Sequence, residues 1–383
     1  MKSTIKTPIN VLIPDGDDHT SLVLQVLNCL SLEKEIDVFV MTSNKHNYLK
    51  YSRNVKRLLF YPKTDTAGWI QNINSAVEKS QIDVILPVFE LGIRKLIVHQ
   101  AQLKHIDKLC PLPGLKEFEI AIEKGALYLH LKKNGIACPK SVIVKSKSIP
   151  EDLNFDFPVI VKPVTGFGGG QQIKVLIDKD AVNAYCETRT YACDTIIQEY
   201  IEGYDISCNV LCLDGEIETY NMQRGSVYLR EESSPQIGFD FFDEPEVYKL
   251  LSKLMKSMQW SGVANVDVRF DRLDNTYKVI EINPRFWINT DASAIAGINF
   301  PYLCCLLTLN AIIPNDKGLR IPYFNLKGLT RQVVKQPRLL FNFRFLKRNT
   351  SLGFALKDPL PMIYKFFWRT KNVIVSKIEK STS

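Results

Sequence analysis

Three short segments carry side chains whose types and spacing suit chemistry on a polyphosphate. The first is an apolar run, 157–162, that ends on Lys162 and leads into the glycine-rich stretch 165–170. Glycines let backbone N–H groups approach phosphate oxygens without interference from side chains, and the lysine supplies a compact positive charge. Because Lys162 precedes the glycines, the segment does not follow the Walker pattern, in which the lysine comes after them. Glycine-rich hairpins that bind nothing are common, so this segment alone does not define a site.

The second segment, 263–285, predicts a β-hairpin, because two β-rich runs flank a polar turn. Folding about that turn places Asp267 opposite Glu281, and Glu281 shares one face of its strand with Asn283. Two carboxylates and an amide oxygen are hard ligands, which suit Mg²⁺ bound together with nucleotide phosphates. Arg285 follows at the strand end, where its charge would stabilise a phosphoryl group during transfer. The alternative is a solvated hairpin face, which is disfavoured because the apolar neighbours make unpaired acids costly.

The third segment, 195–205, runs from an apolar strand into a polar hinge and a glycine turn. Such a hinge can present backbone N–H and C=O groups to the edge of an adenine ring. Asp205, four residues after Ile201, is placed to accept hydrogen bonds from ribose hydroxyls. Taken alone, an ordinary surface turn explains this segment equally well.

Composition describes a globular chain of two or three domains: 383 residues, 45% hydrophobic and 23% charged. No run reaches the ~18 uninterrupted apolar residues that span a bilayer, and the N-terminus lacks the features of a signal peptide. Nine cysteines include no CxxC pair, and five histidines have no ligand spacing. We therefore expect reduced thiols, no zinc site and a cytoplasmic protein.

Positive charge is concentrated at the C-terminal end. The stretch 317–383 has 15 Lys and Arg against two acids, and the remainder of the chain has 34 basic and 39 acidic side chains. Basic and aromatic residues alternate there, so the stretch either packs on the body, contacts an anionic membrane surface, or receives an anionic substrate such as a nucleotide- or lipid-linked sugar. Nucleic acid is not expected, because no recognised binding motif accompanies the charge.

The order of predicted elements indicates an α/β region followed by an α+β region. The first part alternates strands and helices, with strands at 10–14, 36–41 and 83–88 and helices at 19–32, 66–79 and 91–103. This alternation predicts a parallel sheet, and the turn after the first strand lacks a dinucleotide-binding glycine motif. Further along come a helical connector at 117–134, β-rich runs at 139–201 with a helix at 178–188, and antiparallel strands at 205–282 with a helix at 244–260.

Taken in this order, the lysine with its glycine turn, the QEYIEGYD hinge and the hairpin ending in Glu281-Ile-Asn283-Pro-Arg285 resemble an ATP-grasp enzyme. The likeness extends to carboxylate–amine ligases and to carbamoyl phosphate synthetase and biotin carboxylase, and it covers roughly residues 8–315. It implies a Rossmann-like pre-ATP-grasp domain, a two-lobed ATP-grasp domain and a basic C-terminal extension. The implied bounds are 1–112 for the first, 113–316 for the second (linker 113–138, small lobe 139–201, large lobe 202–316) and 317–383 for the extension.

The resemblance also implies a role for each matching residue. Contacts to the ATP phosphates are implied for Lys162, for the linker lysine Lys124 and for the closing loop Gly168, Gly169 and Gly170. Adenine contacts are implied for Gln198, Glu199 and Ile201, the last two mainly through backbone groups. Asp205 takes the ribose position, where the family more often has glutamate. The implied metal ligands are Asp267, Glu281 and Asn283, with Arg285 near the reacting phosphate.

By the same resemblance, ATP and two Mg²⁺ ions, with Mn²⁺ as a substitute, would activate a carboxylate as an acyl phosphate that an amine then attacks. Arg224, predicted at a strand end that faces the expected cleft, is a candidate ligand for the substrate carboxylate or an ordinary surface arginine. Glu90, at the end of the third strand, is a second substrate candidate. Two alternatives stay open: a carboxyl- or carbamoyl-transferring relative, and a non-catalytic ATP-binding regulatory protein. A homodimer also stays open.

Overall fold

The computed structural model describes residues 7–146, 148, 150, 153, 155–166, 172–189, 193–229, 236–314 and 318–367. The loop glycines Gly168, Gly169 and Gly170 therefore lie outside the described residues. The chain divides into two compact units. The first comprises Met1–Leu112, Gly225–Phe241 and Arg285–Ser383, and the second comprises Pro113–Arg224 and Phe242–Pro284.

Strands and helices alternate early in the chain, and strands dominate its middle. The strands are β1 Ile9–Ile13, β2 Ile36–Thr42, β3 Arg57–Phe60, β4 Val84–Ile85, β5 Ser141–Val144, β6 Val159–Pro163, β7 Lys174–Leu176, β8 Thr195–Glu199, β9 Gly203–Leu213, β10 Glu216–Tyr228, β11 Gln236–Phe242, β12 Gly262–Asp271, β13 Thr276–Asn283 and β14 Pro322–Phe324. The helices are α1 Thr20–Leu30, α2 Thr66–Ser80, α3 Glu90–Val98, α4 Leu115–Ile122, α5 Lys124–Lys133, α6 Lys179–Thr188, α7 Pro245–Ser257, α8 Thr290–Ile295, α9 Phe300–Thr308, α10 Leu326–Lys335, α11 Phe343–Arg348 and α12 Leu352–Lys357.

A parallel sheet with strand order β3-β2-β1-β4 forms the start of the first unit. Its strands are buried between helices, as the alternation of strand and helix signals predicts. The sequence analysis missed β3, a short strand in which Arg57 and Phe60 are exposed, so that its apolar pattern is weak. The strand predicted at 83–88 is only Val84–Ile85, and it is the fourth strand along the chain.

The later parts of the first unit add a small antiparallel pair and several short helices. Strand β11 pairs with β14 through Gly238 and Phe324, and α8 and α9 contact α1. Within the basic C-terminal stretch, Phe324, Leu329 and Leu346 share a buried apolar cluster. No helix among the described residues combines the length and apolar character that crossing a membrane requires.

The connector at the start of the second unit is two helices, α4 and α5, and not the single helix predicted. The backbone of Glu123 is extended, and its carboxylate accepts hydrogen bonds from the N–H groups of Gly125 (2.9 Å) and Ala126 (2.6 Å). A carboxylate in this position caps the first turn of a helix, so Glu123 ends α4 and begins α5. The break fixes Lys124 as the first residue of α5.

Two antiparallel sheets make up the rest of the second unit. The smaller has strand order β5-β8-β6-β7 and packs on α6. In the larger, β13, β12, β9 and β10 are neighbours in that order. One face of the larger sheet buries apolar residues with α4, α5 and α7, including the fully buried Trp260. Because side chains alternate between the faces of a strand, the other face carries a different set of residues, and this set is polar.

Candidate nucleotide and metal site

The hairpin of β12 and β13 brings the two predicted metal-binding carboxylates together. Asp267 pairs directly with Glu281, and Asn265 pairs with Asn283, which is the register predicted for the carboxylates. Burial raises the pKa of Asp267 well above its usual range, and the neighbouring charge of Glu281 raises it further. Two carboxylates in contact at a half-buried position repel each other unless a proton or a cation lies between them. This donor set therefore fits a hard divalent cation such as Mg²⁺.

Lys162 lies in β6 and faces the same carboxylates. Its side chain is only 4% exposed. Burial lowers the pKa of Lys162 to about 8; Glu281 and Asp267 oppose this shift, and the positive charge of Lys124 adds to it. The N–H group of Lys124 donates to the Val164 carbonyl at 2.9 Å, which fixes the start of α5 against the end of β6. The second unit thus places Lys162 beside the carboxylate pair and Lys124 close to Lys162.

The predicted adenine hinge follows β8 and is tied to neighbouring strands. The Gln198 side chain donates to the Ser141 hydroxyl at 2.9 Å and is buried. The N–H group of Glu199 donates to the Lys140 carbonyl at 2.9 Å, and the Glu199 carboxylate accepts from the Lys140 N–H group at 3.0 Å. The Glu199 carboxylate is therefore engaged within the protein.

Arg285 and Glu90 belong to the first unit and form an ion pair. The Arg285 Nε atom lies 3.0 Å from Glu90 Oε1, and Arg285 Nη1 donates to the Phe286 carbonyl at 2.9 Å. Glu90 is the first residue of α3, so the sequence analysis was wrong to place it at the end of a strand. Its carboxylate holds the arginine that the sequence analysis placed near the reacting phosphate.

Arg224 lies within β10 and not at its end, which corrects the position predicted for it. It pairs with Ile206, a residue of the buried core, whereas the next pair along joins Gln223 to Ser207. Side chains paired across strands share a face, so Arg224 projects from the face opposite to Asp267, which pairs with Ser207. Its guanidinium group stacks over the Tyr204 ring at 3.6 Å from the ring centre.

Among the described residues there is no cluster of three or more His, Cys, Asp or Glu side chains that could hold a metal ion. The candidate set here has two carboxylates and an amide, so it relies on Asn283 as its third oxygen donor. Phosphate oxygens and water complete the coordination of Mg²⁺ at nucleotide sites, so few protein ligands are needed there.

A family model described as an ATP-grasp domain matches residues 121–288. Residues 121–288 are an ATP-grasp domain. The matched segment contains both lysines, the hinge, the carboxylate pair and Arg285.

Sequence comparison finds ligases among the relatives of this chain. It is 24% identical over 229 residues to the D-aspartate ligase of Enterococcus faecium, which covers 54% of this chain and 54% of the ligase. It is 23% identical over 278 residues to the vancomycin B-type resistance protein VanB of Enterococcus faecalis, which covers 66% of this chain and 80% of that protein. The chain thus spans about half the length of the D-aspartate ligase that it matches.

Structure comparison supports the same fold over most of the chain. The N5-carboxyaminoimidazole synthetase of Staphylococcus aureus, complexed with ADP, superposes with a TM-score of 0.66 at 16% identity and covers 87% of this chain and 88% of the synthetase. The fold is therefore the mixed α/β fold of ATP-grasp proteins.

Within the ATP-grasp domain, the structure adds a hinge contact that the sequence analysis missed. Arg269 Nε donates to the Ile201 carbonyl at 2.8 Å, and Nη2 donates to the Gly203 carbonyl at 3.2 Å. Arg269 Nη1 forms an ion pair with the Asp205 carboxylate at 2.6 Å. One guanidinium group therefore holds the hinge at three points around the predicted ribose ligand. The sequence signal that could have identified Arg269 was its position, two residues after Asp267 on the same face of the strand.

Lys278, the cross-strand partner of Arg269, holds the other end of the hinge. Its Nζ atom lies 3.1 Å from Glu199, 2.7 Å from Asp271 and 3.1 Å from Asp274. Partial burial lowers the pKa of Lys278, but the hydrogen bonds to these carboxylates outweigh burial and raise it above its ordinary value. Two cations opposite each other on neighbouring strands would normally repel, and the carboxylates offset that repulsion.

Proposed function

We propose that this chain is an ATP- and Mg²⁺-dependent ligase that joins a carboxylate to an amine and releases ADP and phosphate. The observation that carries the proposal is the half-buried Asp267–Glu281 pair beside the buried Lys162. A site for a nucleoside triphosphate requires carboxylates that bind a divalent cation and a lysine that binds phosphate oxygens. The ligase activity named in the D-aspartate ligase of Enterococcus faecium supports the same reaction type.

In this proposal Lys162 and Lys124 bind the ATP phosphates, with Gly168, Gly169 and Gly170 as the closing loop. Gln198, Glu199 and Ile201 bind adenine, and Asp205 binds the ribose. Asp267, Glu281 and Asn283 would hold two Mg²⁺ ions, which neutralise charge on the phosphates when bound. Arg285, positioned by Glu90, acts on the reacting phosphoryl group.

The reaction needs activation because a carboxylate has no usable leaving group. A carboxylate oxygen of the substrate attacks the γ-phosphorus of ATP, the bond to the β-phosphate oxygen breaks, and ADP leaves. The product of this step is an acyl phosphate. The amine then attacks its carbonyl carbon, loses a proton, and displaces inorganic phosphate. The contribution of the protein is to orient both partners and to relieve negative charge with its lysines and arginine.

The test is a phosphate-release assay with Mg-ATP against paired libraries of amino acids, amines and sugar acids. Glu281→Gln and Lys162→Ala should each stay folded and lose substrate-dependent release by about 10²–10³-fold, the typical cost of one transition-state contact. Glu218→Gln, which alters an exposed acid on β10, is the matched control and should retain activity. ADP release retained by both Glu281→Gln and Lys162→Ala would refute the assignment.

The alternatives lead to different results in the same assay. Phosphate release that depends on bicarbonate or carbamate chemistry would indicate a carboxyl- or carbamoyl-transferring enzyme, as the structural likeness to N5-carboxyaminoimidazole synthetase allows. Nucleotide binding without substrate-stimulated release would indicate a regulatory ATP-binding protein. The chemistry of the hairpin favours the ligase, because a protein that only binds nucleotide has less need of two carboxylates that face each other.

We further propose a cytoplasmic location, which the nine free cysteines support. Residues 1–112 would form a Rossmann-like pre-ATP-grasp domain, and a homodimer is the assembly to test.

For the basic extension, 317–383, we propose contact with an anionic membrane surface or glycan. Residues 318–357 contain no acid, and Phe341 and Phe343 are 79% and 76% exposed among the basic side chains. Co-sedimentation with anionic vesicles should fall when both phenylalanines are replaced by serine, and unchanged co-sedimentation would remove the membrane proposal.

A further inference from the structure

A row of four asparagines crosses the polar face of the large sheet and ends at the proposed metal site. Asn221 on β10 pairs with Asn209 on β9, which pairs with Asn265 on β12, which pairs with Asn283 on β13. Side chains paired across strands lie on one face about 5 Å apart. Asn209, Asn221 and Asn265 are at most 7% exposed, so this is a buried polar row.

The amides form a continuous chain of hydrogen bonds in one direction. Asn283 Nδ2 donates to Asn265 Oδ1 at 3.3 Å, Asn265 Nδ2 donates to Asn209 Oδ1 at 2.8 Å, and Asn209 Nδ2 donates to Asn221 Oδ1 at 2.8 Å. At the far end, Asn221 Nδ2 is buried and has no hydrogen-bond partner in the described part of the chain. The row therefore ends in an N–H group on β10 and directs its oxygen end towards β13.

This direction matters for Asn283. Because its Nδ2 atom donates to Asn265, its Oδ1 atom is the amide atom turned away from the row. A cation can bind only the oxygen of an amide, so a flipped amide at Asn283 would present N–H groups to it. A row of opposite direction would leave Asn283 in that unsuitable orientation.

Asn265 is the branching point of the network. Its Nδ2 atom also donates to the Ser207 hydroxyl at 2.7 Å, so both of its N–H bonds are used and its Oδ1 atom is the acceptor for Asn283. The Ser207 hydroxyl in turn donates to the Asp267 carboxylate and lowers its pKa, against the effect of burial. Asn265 thus connects to two of the three proposed metal ligands, directly to Asn283 and through Ser207 to Asp267.

We propose that Asn265 is a positioning residue that orients Asn283 and Asp267 for a divalent cation, with Asn209 and Asn221 fixing the direction of its amide. The inference rests on the proposed function, since it concerns the same metal site. A buried row of amides that ends, within the described residues, in an unpaired N–H group costs stability, which an apolar row would not. Groups that orient metal ligands typically change metal affinity by about 10- to 100-fold when they are removed.

The test measures binding and not turnover. Free Mn²⁺ is followed by EPR during titration of the full chain with a non-hydrolysable ATP analogue present. Asn265→Leu should raise the Kd for Mn²⁺ about 10- to 100-fold. Adding Asn283→Asp in that background should recover at least tenfold of the loss, because a carboxylate presents an oxygen on both arms and needs no orientation. A Kd for Asn265→Leu within twofold of wild type would overturn the proposal.

Val266→Ala is the matched control, since Val266 is the next residue on β12 and is buried in the core on the opposite face. It should destabilise the fold and leave the Kd for Mn²⁺ unchanged; an equal rise in Kd would mean that Asn265 acts only through stability. If Asn265→Leu does not fold, Ser207→Ala takes its place and should raise the Kd about tenfold. A Kd for Ser207→Ala within twofold of wild type would overturn the proposal.

The same titration separates the two levels of inference. Wild-type chain that binds no Mn²⁺ with the analogue would refute the proposed function and the positioning role together. Binding that is lost in Glu281→Gln but retained in Asn265→Leu would refute the positioning role alone.

Discussion

Replacing Arg269 by methionine should loosen the nucleotide hinge and weaken ATP binding. The substitution keeps most of the apolar stem of the side chain and removes the guanidinium group. A methionine can make neither the hydrogen bonds to the carbonyls of Ile201 and Gly203 nor the ion pair with Asp205. These groups span the segment that we assign to adenine and ribose, so their release leaves the hinge to be ordered by the nucleotide itself.

The magnitude follows from the exposure of each interaction. Arg269 is 22% exposed and Asp205 is 51% exposed, so solvent screens their ion pair and its removal costs about 1 kcal/mol or less. Each of the two hydrogen bonds from a charged donor to a carbonyl contributes about 1.5 kcal/mol or more. Only part of the free energy of these interactions affects binding, namely the part needed to order the released hinge when nucleotide binds. We expect binding to weaken by about 1.4–2.7 kcal/mol, which is a 10- to 100-fold rise in the Kd for nucleotide.

Isothermal titration with ADP and with a non-hydrolysable ATP analogue measures this effect directly. Arg272→Met is the matched control, because Arg272 lies in the turn of the same hairpin, is 56% exposed and approaches Glu202 at only 3.9 Å. It should leave the Kd for nucleotide within twofold of wild type. At saturating ATP, Arg269→Met should keep most of kcat, because the residue holds the hinge and is not among the groups that we assign to the phosphates.

Two results would refute this reasoning. An unchanged nucleotide Kd in a folded Arg269→Met chain would mean that the hinge keeps its shape without the guanidinium group. A loss confined to kcat would mean that Arg269 acts on the reacting groups and not on the hinge.

Three further substitutions test other parts of the fold. Lys278→Met leaves a group of carboxylates without its cation and should lower the free energy of unfolding in urea by about 3–5 kcal/mol, and a loss below 1 kcal/mol would contradict the role of the lysine. Burial raises the pKa of Asp15 to about 7, so the protonated form is favoured in the folded chain and stability is lost as pH rises from about 4 to about 7. Asp15→Asn removes this titration. Its free energy of unfolding in urea, measured at each pH and compared with that of the wild type, should therefore improve by about 4 kcal/mol between about pH 4 and about pH 7. Stability curves of the two proteins that stay parallel over this range would contradict the prediction. A Cβ atom at Gly203 would lie 1.7 Å from the Phe270 carbonyl oxygen, so Gly203→Ala should lower Tm sharply or prevent folding, whereas Gly353→Ala, with no atom within 4 Å of the added Cβ, should melt like wild type.

The register of the carboxylate hairpin could be predicted because its strands are adjacent in sequence and joined by a short turn. The alternation of side chains then fixes which residues face each other. A bulge between Asp267 and Val268 shifts by one residue the pairing of all positions between the bulge and the turn, and this shift could not be predicted. A hairpin without it, folded about Asp274, would place Val279 opposite Arg269, whereas the structure places Lys278 there.

Contacts between distant strands could not be predicted from the sequence either. The asparagine row depends on the order of β13, β12, β9 and β10, which no local pattern specifies. The pairing of Arg285 with Glu90 joins residues 195 positions apart. The sequence identifies the kinds of residue that the chemistry requires, and the sheet order determines which of them meet.

The division of the first unit into three stretches has a consequence for synthesis on the ribosome. Strand β11 carries the alternating apolar residues Ile237, Phe239 and Phe241, and its partner β14 begins only at Pro322. At about 5–20 residues per second, β11 emerges roughly 4–16 seconds before that partner. During this interval an apolar strand edge is exposed to other nascent chains, which makes it a target for chaperones. Premature termination before residue 322 should therefore yield aggregation and not a smaller folded protein.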